Sequence, residues 1–437
     1  MRNLYPEPVS WDLMFNAWVQ NRAELGVVGL EQEVDDIRAQ LQTLLERVQQ
    51  LPVDPEFAAR EPDDLAAIRA LRPAGRRVID VKLSEAEYRD RLEGALLGRC
   101  AGCTLGSPVE LFPVDKMQQW AEYIGDAFPP VDYWSQVERP NELKYQMSSR
   151  SHFSRGGMDG VPTDDDIIFT LLGLLTLEDH GPHLSVEQVG QAWLDYLPYA
   201  ETAEKVALRN LKNGVPANLA ATIDNPYDQL IGADIRSDPW GYVSPGLPEK
   251  AAELAYHDSY LSHRRNGIYG AMYFSAAIAA AFTVDHPMDA LQIGLEEIPA
   301  DSRFAEAVRW SMEIAPSITN YRDAHDAIGE YFNGMHRVHA INNAALTVWG
   351  INIGGRDFTR VIGEIVAMGY DNDCTAATAG SIVGAVVGRS GIPEHWWKNF
   401  NNKVHSYLNG HREFAIDDLI NRFSRQAEIV RGVVTSD

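Results

Sequence analysis

Asp371-Asn-Asp-Cys-Thr-Ala-Ala-Thr-Ala-Gly-Ser-Ile-Val-Gly-Ala-Val-Val-Gly388 reads as an acidic start followed by an apolar helix, in which Ala376, Gly380, Gly384 and Gly388 recur every fourth residue. A second stretch, Arg91-Leu-Glu-Gly-Ala-Leu-Leu-Gly-Arg-Cys-Ala-Gly102, carries the same spacing at Gly94, Gly98 and Gly102, with Gly106 just beyond. Glycine inside a helix costs roughly 1 kcal/mol relative to alanine. Two such stripes therefore need a compensating gain, which close approach of helix backbones supplies. The two helices are expected to sit centrally.

Working outward, Ser84-Glu-Ala-Glu87 has capping-box spacing and opens the helix that carries the first stripe. Further helices are expected over Ile167–Leu177, Val186–Tyr196 behind the box Ser185–Gln188, Glu201–Leu211, Ile268–Phe282, Asp323–Phe332, Ala344–Ile351 and Phe358–Ala367. Period-2 alternation is nearly absent and no βαβ rhythm appears. The fold class is all-α.

Upstream, Leu30, Val34, Ile37, Leu41, Leu44, Val48 and Leu51 alternate in steps of four and three, a heptad seam with Glu33 and Arg38 flanking it. This arm either packs on its own domain or pairs with a second copy as a homo-oligomer. Leu51 to Gly75, with Pro52, Pro55, Pro62 and Pro73, reads as a connector with one short helix over Leu65–Leu71. We expect residues 1–83 to form an N-terminal helical extension and 84–437 the main domain, including a C-terminal helix.

The chain has 437 residues, 45% of them hydrophobic, enough for a large core. Its 62 acidic against 38 basic residues give a net charge of -24, which repels a polyphosphate backbone or an anionic membrane. No nucleic-acid or membrane partner is expected. The opening Met1-Arg-Asn-Leu4, soon followed by Pro6, Pro8 and Trp11, is unlike a secretory signal. Of three cysteines, Cys100 and Cys103 lie in a small-residue helix and read as reduced core thiols, which points to a reducing, cytoplasmic compartment. The longest uncharged run, Asn266 to Val284, is Ala-rich and weakly apolar, and is read as a buried helix.

Chemistry concentrates in two clusters, Thr163-Asp-Asp-Asp166 and Asp371-Asn-Asp-Cys374, each at a helix start. The plainer reading is capping: Thr163 and Asp166 have box spacing, and Asp371 or Asp373 could cap the second helix. A cap needs one such oxygen, or two. Three successive aspartates crowd like charges at a cost that a bound dication removes, so paired acidic starts point to hard divalent cations held between packed helices.

The order of motifs from about Tyr88 to Trp397 resembles the ADP-ribosylglycohydrolase family, the group that includes the dinitrogenase-reductase-activating glycohydrolase. The resemblance rests on Arg91–Gly98 followed by Gly102-Cys-Thr-Leu-Gly-Ser-Pro-Val-Glu110, on Pro162-Thr-Asp-Asp-Asp166, on Ser262-His-Arg-Arg-Asn-Gly-Ile-Tyr-Gly-Ala-Met272, and on His339-Ala-Ile-Asn-Asn-Ala344 with Gly369–Gly380 and a trailing Ile392-Pro393 and Trp396. It implies a compact all-α fold with two magnesium ions in a central cleft, held by Thr163, Asp164, Asp165, Asp371 and Asp373, with Cys374 at a ligand position. It further implies catalytic positions for Glu110 and Asp373, and hydrolysis of an N- or O-glycosidic bond at the ribose C1 of an ADP-ribosyl group.

Asn266, Gly267, Tyr269, His339 and Tyr370 are the expected lining for substrate. Alternatives on the same fold are hydrolysis of a nucleoside, nucleotide or specialised-metabolite glycoside, and non-catalytic binding of an ADP-ribose-like ligand. Three departures stand out: Cys103 replaces the family's loop Asp, Asp166 its last Thr, and Cys374 a Thr or Ser that offers oxygen. Sulfur suits a hard cation badly. That leaves a weaker second metal, a missing one, or a softer ion such as manganese.

Overall fold

The computed structural model describes residues 11–80, 82–136 and 151–435. The opening ten residues, on which most of the reading of the N-terminus rests, lie outside them. Two units emerge by packing, residues 1–60 and 61–437.

The first unit holds α1 (Trp11–Glu24), α2 (Leu30–Gln49) and α3 (Pro55–Arg60). On α2 the seam residue Val34 is buried, while Leu41, Leu44, Leu45 and Val48 stand exposed, as does Leu51 just beyond. An apolar stripe with charged flanks, i,i+3 pairs such as Arg38–Asp35 among them, keeps the helix amphipathic.

The second unit contains α4 (Leu65–Leu71), α5 (Glu85–Gly106), α6 (Val114–Ile124), α7 (Asp165–His180), α8 (Val186–Tyr196), α9 (Thr202–Lys212), α10 (Asp238–Tyr242) and α11 (Pro248–Ser259). It continues with α12 (Asn266–Ala281), α13 (Pro287–Gly294), α14 (Arg303–Ile314), α15 (Tyr321–Tyr331), α16 (Ala340–Gly354), α17 (Phe358–Met368), α18 (Asn372–Val387) and α19 (Ile416–Val434). One antiparallel hairpin, β1 (Lys403–Leu408) and β2 (His411–Ala415), is the only sheet among the described residues. The fold is all-α.

At its centre α5 and α18 lie backbone to backbone. A Cβ at Gly94, Gly98 or Gly102 would collide with the carbonyls of Gly384, Gly380 or Ala376, and one at Gly380 or Gly384 would strike back into α5. The stripes thus exist because no side chain fits between the helices. Every residue of α12 is buried, in keeping with an uncharged, Ala-rich helix that has no polar face. Among the described residues no helix is long and apolar enough to cross a membrane.

The connector is tied to this core by charge. Arg69 pairs with Glu253 at 2.7 Å, Arg72 and Arg77 with the buried Glu297 at 2.6 and 2.8 Å, and Glu61 with Arg303 at 2.7 Å. Both predicted capping boxes form, at Ser84 and Ser185.

Candidate functional site

Two separate devices deliver the acidic clusters to one place. The chain before α7 is braced by the hairpin: Val161 donates to the Lys403 carbonyl at 2.8 Å and accepts from the His405 amide at 3.1 Å. The helix then starts with Asp164, not Thr163, as its cap, its Oδ1 accepting from the Asp166 amide at 3.2 Å. Capping therefore accounts for one aspartate of the three.

Before α18 the chain turns through two left-handed residues, Gly369 (φ 76°) and Tyr370 (φ 63°). A bulky residue held there stores about 1–3 kcal/mol of backbone strain, which the surroundings must over-determine. They do: the Tyr370 carbonyl accepts from the amide of Leu111, itself left-handed at φ 59°, at 3.0 Å. Arg337 donates to the Leu111 carbonyl at 3.1 Å and stacks over the Tyr370 ring at 5.4 Å. The Glu110 loop and the Asp371 turn are thereby clamped together.

Asp371 occupies the N-cap position of α18 without making a cap bond. Its Oδ1 and that of Asp373 are buried and have no hydrogen-bond partner, an arrangement that costs several kcal/mol for a charged group unless something else meets it. Gly106 allows the contact, since a Cβ there would strike the Asp373 backbone. The capping explanation fails for this cluster.

The clusters converge. Ligand atoms of Glu110, Asp371 and Asp373 lie within 4.8 Å of one another, as do those of Asp166, Asp373 and Cys374, and those of Cys103, Asp164 and Asp166. Asp373 belongs to two of these triads. The Cys374 thiol reaches Asp166 Oδ2 at 3.2 Å. Burial pushes Asp373 well above the ordinary carboxylate range, and Glu110, Asp371, Asp164 and Asp166 add to it. Asp165 is raised in the same way, by burial and then by Asp164, Asp166 and Glu110. Crowded acids without a counter-charge hold protons; a dication would replace them.

One cation is built in. Arg99, fully buried in α5, donates to Asp166 Oδ1 at 3.1 Å, to the Thr170 hydroxyl at 2.7 Å and to Asp238 Oδ2 at 2.7 Å. Asp238 in turn accepts from Tyr242, whose hydroxyl meets Ser381 of α18 at 2.7 Å. A second buried arginine, Arg236, pairs with Glu204 and Asp258 at 2.5 and 2.7 Å. The segment around Asp234 to Trp240, which matched no motif, thus forms the floor beneath the acidic clusters.

The site opens into a cavity of about 530 Å³. Glu110, Thr163, Asp164, Asp165, Asp371, Asp373 and Cys374 all line it. Sequence reasoning missed the rest of the wall: His152, Phe153, Tyr199, Glu201, Glu204 and Tyr407 among others. The six named residues come from three separate segments and carry no spacing that would have singled them out. Arg99 did carry a signal, as the one charge in the glycine-striped stretch from Gly94 to Gly106.

The five residues expected to meet substrate do not line this cavity. The Asn266 amide donates to Glu61 and Gln229 and its oxygen accepts from the Phe304 amide. Tyr269 donates to the Pro62 carbonyl at 2.6 Å. Gly267 is packed against the Asp228 carbonyl and His263. His339 caps α16 through Nδ1, and burial lowers its pKa to about 3. Tyr370 serves the clamp just described, through its carbonyl and its ring.

The donor set fits a divalent cation: paired carboxylate oxygens, two of them buried and unpartnered, from two helix starts. Comparison with known proteins gives the family and the fold. Residues 84–428 match the family model described as ADP-ribosylglycohydrolase. A solved structure titled "ADP-ribosylglycohydrolase-related protein complex" shares the fold, with a TM-score of 0.54 and 19% identity over 79% of this chain and 99% of that one. No curated protein matches the chain significantly.

Proposed function

The chain belongs to the ADP-ribosylglycohydrolase family, and on that premise we propose that it hydrolyses the glycosidic bond at ribose C1 of an ADP-ribosyl group with the help of bound magnesium. The observation that carries the metal-dependent reading is Asp373, which lies in two triads of ligand atoms at once and whose Oδ1 is buried without a partner. Asp371, Asp373, Asp164, Asp165 and Thr163 are the residues that would hold magnesium. When bound, the ions supply electrophilic pull on vicinal ribose hydroxyls and fix the sugar in place.

The chain's own groups do the remaining work. Glu110, the exposed member of its triad with Asp371 and Asp373, stabilises as a carboxylate the positive charge developing at the ribose ring, takes the proton of the attacking water and passes it to the departing nitrogen or oxygen as the bond at C1 breaks. Asp373 orients what Glu110 acts upon. The aromatic side chains Phe153, Tyr199 and Tyr407 give the same cavity apolar surface against which a base can stack.

The test is release of free ADP-ribose from ADP-ribosyl-arginine and ADP-ribosyl-serine, run beside a panel of nucleosides, with and without magnesium. Magnesium-dependent release from either ADP-ribosyl substrate supports the proposal. Turnover confined to nucleosides, or undiminished after chelation, overturns it.

A further inference from the structure

The two cation positions are chemically unlike. Glu110, Asp371 and Asp373 offer oxygen alone, whereas the neighbouring position gathers Asp166 and Asp373 oxygens with the Cys374 sulfur, and Cys103 sulfur lies within 4.8 Å of Asp164 and Asp166 oxygens. We propose that this second position is a mixed thiol–carboxylate site selective for a thiophilic divalent cation of the zinc or cobalt class, held by Asp166, Asp373 and Cys374 with Cys103 beside them. The proposal rests on the reading above that the cleft holds divalent cations, and gives its two positions different metals.

Three observations carry it. Two of the chain's three cysteines, 271 positions apart, come to one aspartate, and both are buried, at 1% and 8% exposure. Asp166 is divided between two tasks: Oδ1 accepts from Arg99, which fixes the carboxylate, and Oδ2 faces the Cys374 thiol at 3.2 Å. Tetrahedral zinc with one sulfur and one oxygen ligand sets those two atoms about 3.6 Å apart, so the pair needs to open by only a few tenths of an ångström. Finally, Asp373, whose Oδ1 is buried and unpartnered, belongs to the same triad of ligand atoms as Cys374.

Thiolate sulfur favours zinc and cobalt, while magnesium demands hard oxygen. As each sulfur–metal bond forms, the thiol proton leaves to solvent and no electron moves.

The experiment titrates the full-length, metal-free chain with cobalt(II), read by near-ultraviolet absorbance. An intense sulfur-to-cobalt band is expected, displaced by equimolar zinc and untouched by the same concentration of magnesium. Cys374→Ser should remove most of the band, Cys103→Ser should weaken it, and Cys100→Ser should leave it intact. Cys374→Thr should keep magnesium binding and weaken zinc at least about tenfold. Cobalt that binds without the band, or a band that survives Cys374→Ser, overturns the mixed site and leaves the magnesium reading standing. A chain that binds neither cobalt nor magnesium sinks both.

Discussion

Cys374 Sγ and Asp166 Oδ2, 208 positions apart in sequence, meet at 3.2 Å. The contact joins the first turn of α18 to the first turn of α7, and Arg99 of α5 holds Asp166 from the other side at 3.1 Å. Three helices are thus locked at the point where the carboxylates gather. Removing one partner of the buried Arg99 pair would leave an uncompensated charge, a loss of about 3–5 kcal/mol.

Asp373→Asn should abolish stabilisation by magnesium. At about 100 times its dissociation constant the ion adds about 2.7 kcal/mol to the wild type, and the variant should gain almost none. Calorimetry with titrated magnesium reads this directly. The metal-free variant should be no less stable than the metal-free wild type, since an amide relieves the crowding of Glu110, Asp371, Asp164 and Asp166 around that side chain.

Stability without metal should fall as pH rises. Burial lifts Asp166 to about 8 despite the pull of Arg99, and burial raises Asp371 too. Between the ordinary carboxylate range and about pH 8 the folded chain therefore holds protons that the unfolded chain has released, and the linkage relation makes unfolding easier as pH increases. Magnesium needs the deprotonated acids, so its stabilising effect should grow over the same window. Thermal unfolding at about pH 5.5 and about pH 8, with and without magnesium, checks both signs.

Gly98→Ala and Gly329→Ala should have opposite effects. Both sites are helical, and alanine is the better helix former by about 1 kcal/mol. At Gly329 nothing lies within 4 Å of the added Cβ, so the variant should gain up to that amount. At Gly98 the Cβ runs into the Gly380 backbone, and forcing α5 and α18 apart should cost about 3 kcal/mol or more. Chemical denaturation of the pair decides whether close approach is why the stripes exist.

The exposed seam of α2 makes a further prediction. Leu41, Leu44, Leu45 and Val48 on one side of a charged helix are suited to pairing with the same arm of a second copy. Sedimentation of the full chain should give a dimer, and of a chain lacking residues 1–60 a monomer. An unchanged mass on truncation removes the arm as the pairing device.

Where the sequence was legible, a local signal coincided with the tertiary outcome. Val186–Tyr196 matches α8 residue for residue because a capping box and an amphipathic period mark it, and Leu65–Leu71 matches α4 behind its Asp64 cap. The hairpin escaped notice because β1 alternates over only six residues, too few to stand out from a helical background. Helices α6, α11, α13 and α14 were likewise unmarked, their apolar faces being set by neighbours distant in sequence.

The same distinction divides the site. The acidic clusters could be read because each is contiguous. Asn266 and Tyr269 were read as lining because nothing nearby in sequence reveals that Glu61 and Pro62, some two hundred positions earlier, take up their polar atoms. Asp166 looked like a departure from a motif; that it links Arg99 to Cys374 is visible only once three helices are assembled.

The claim that both clusters form one catalytic site is tested most directly by assaying Asp164→Asn and Asp371→Asn side by side for release of ADP-ribose from ADP-ribosylated arginine and serine. Asparagine at 164 retains an oxygen for the cap, so the α7 start survives. Each substitution alone should lower magnesium-dependent turnover by about 1,000-fold or more, the loss of several kcal/mol of transition-state stabilisation. Full activity in either variant would mean that its cluster lies outside the chemistry, contradicting the single shared site.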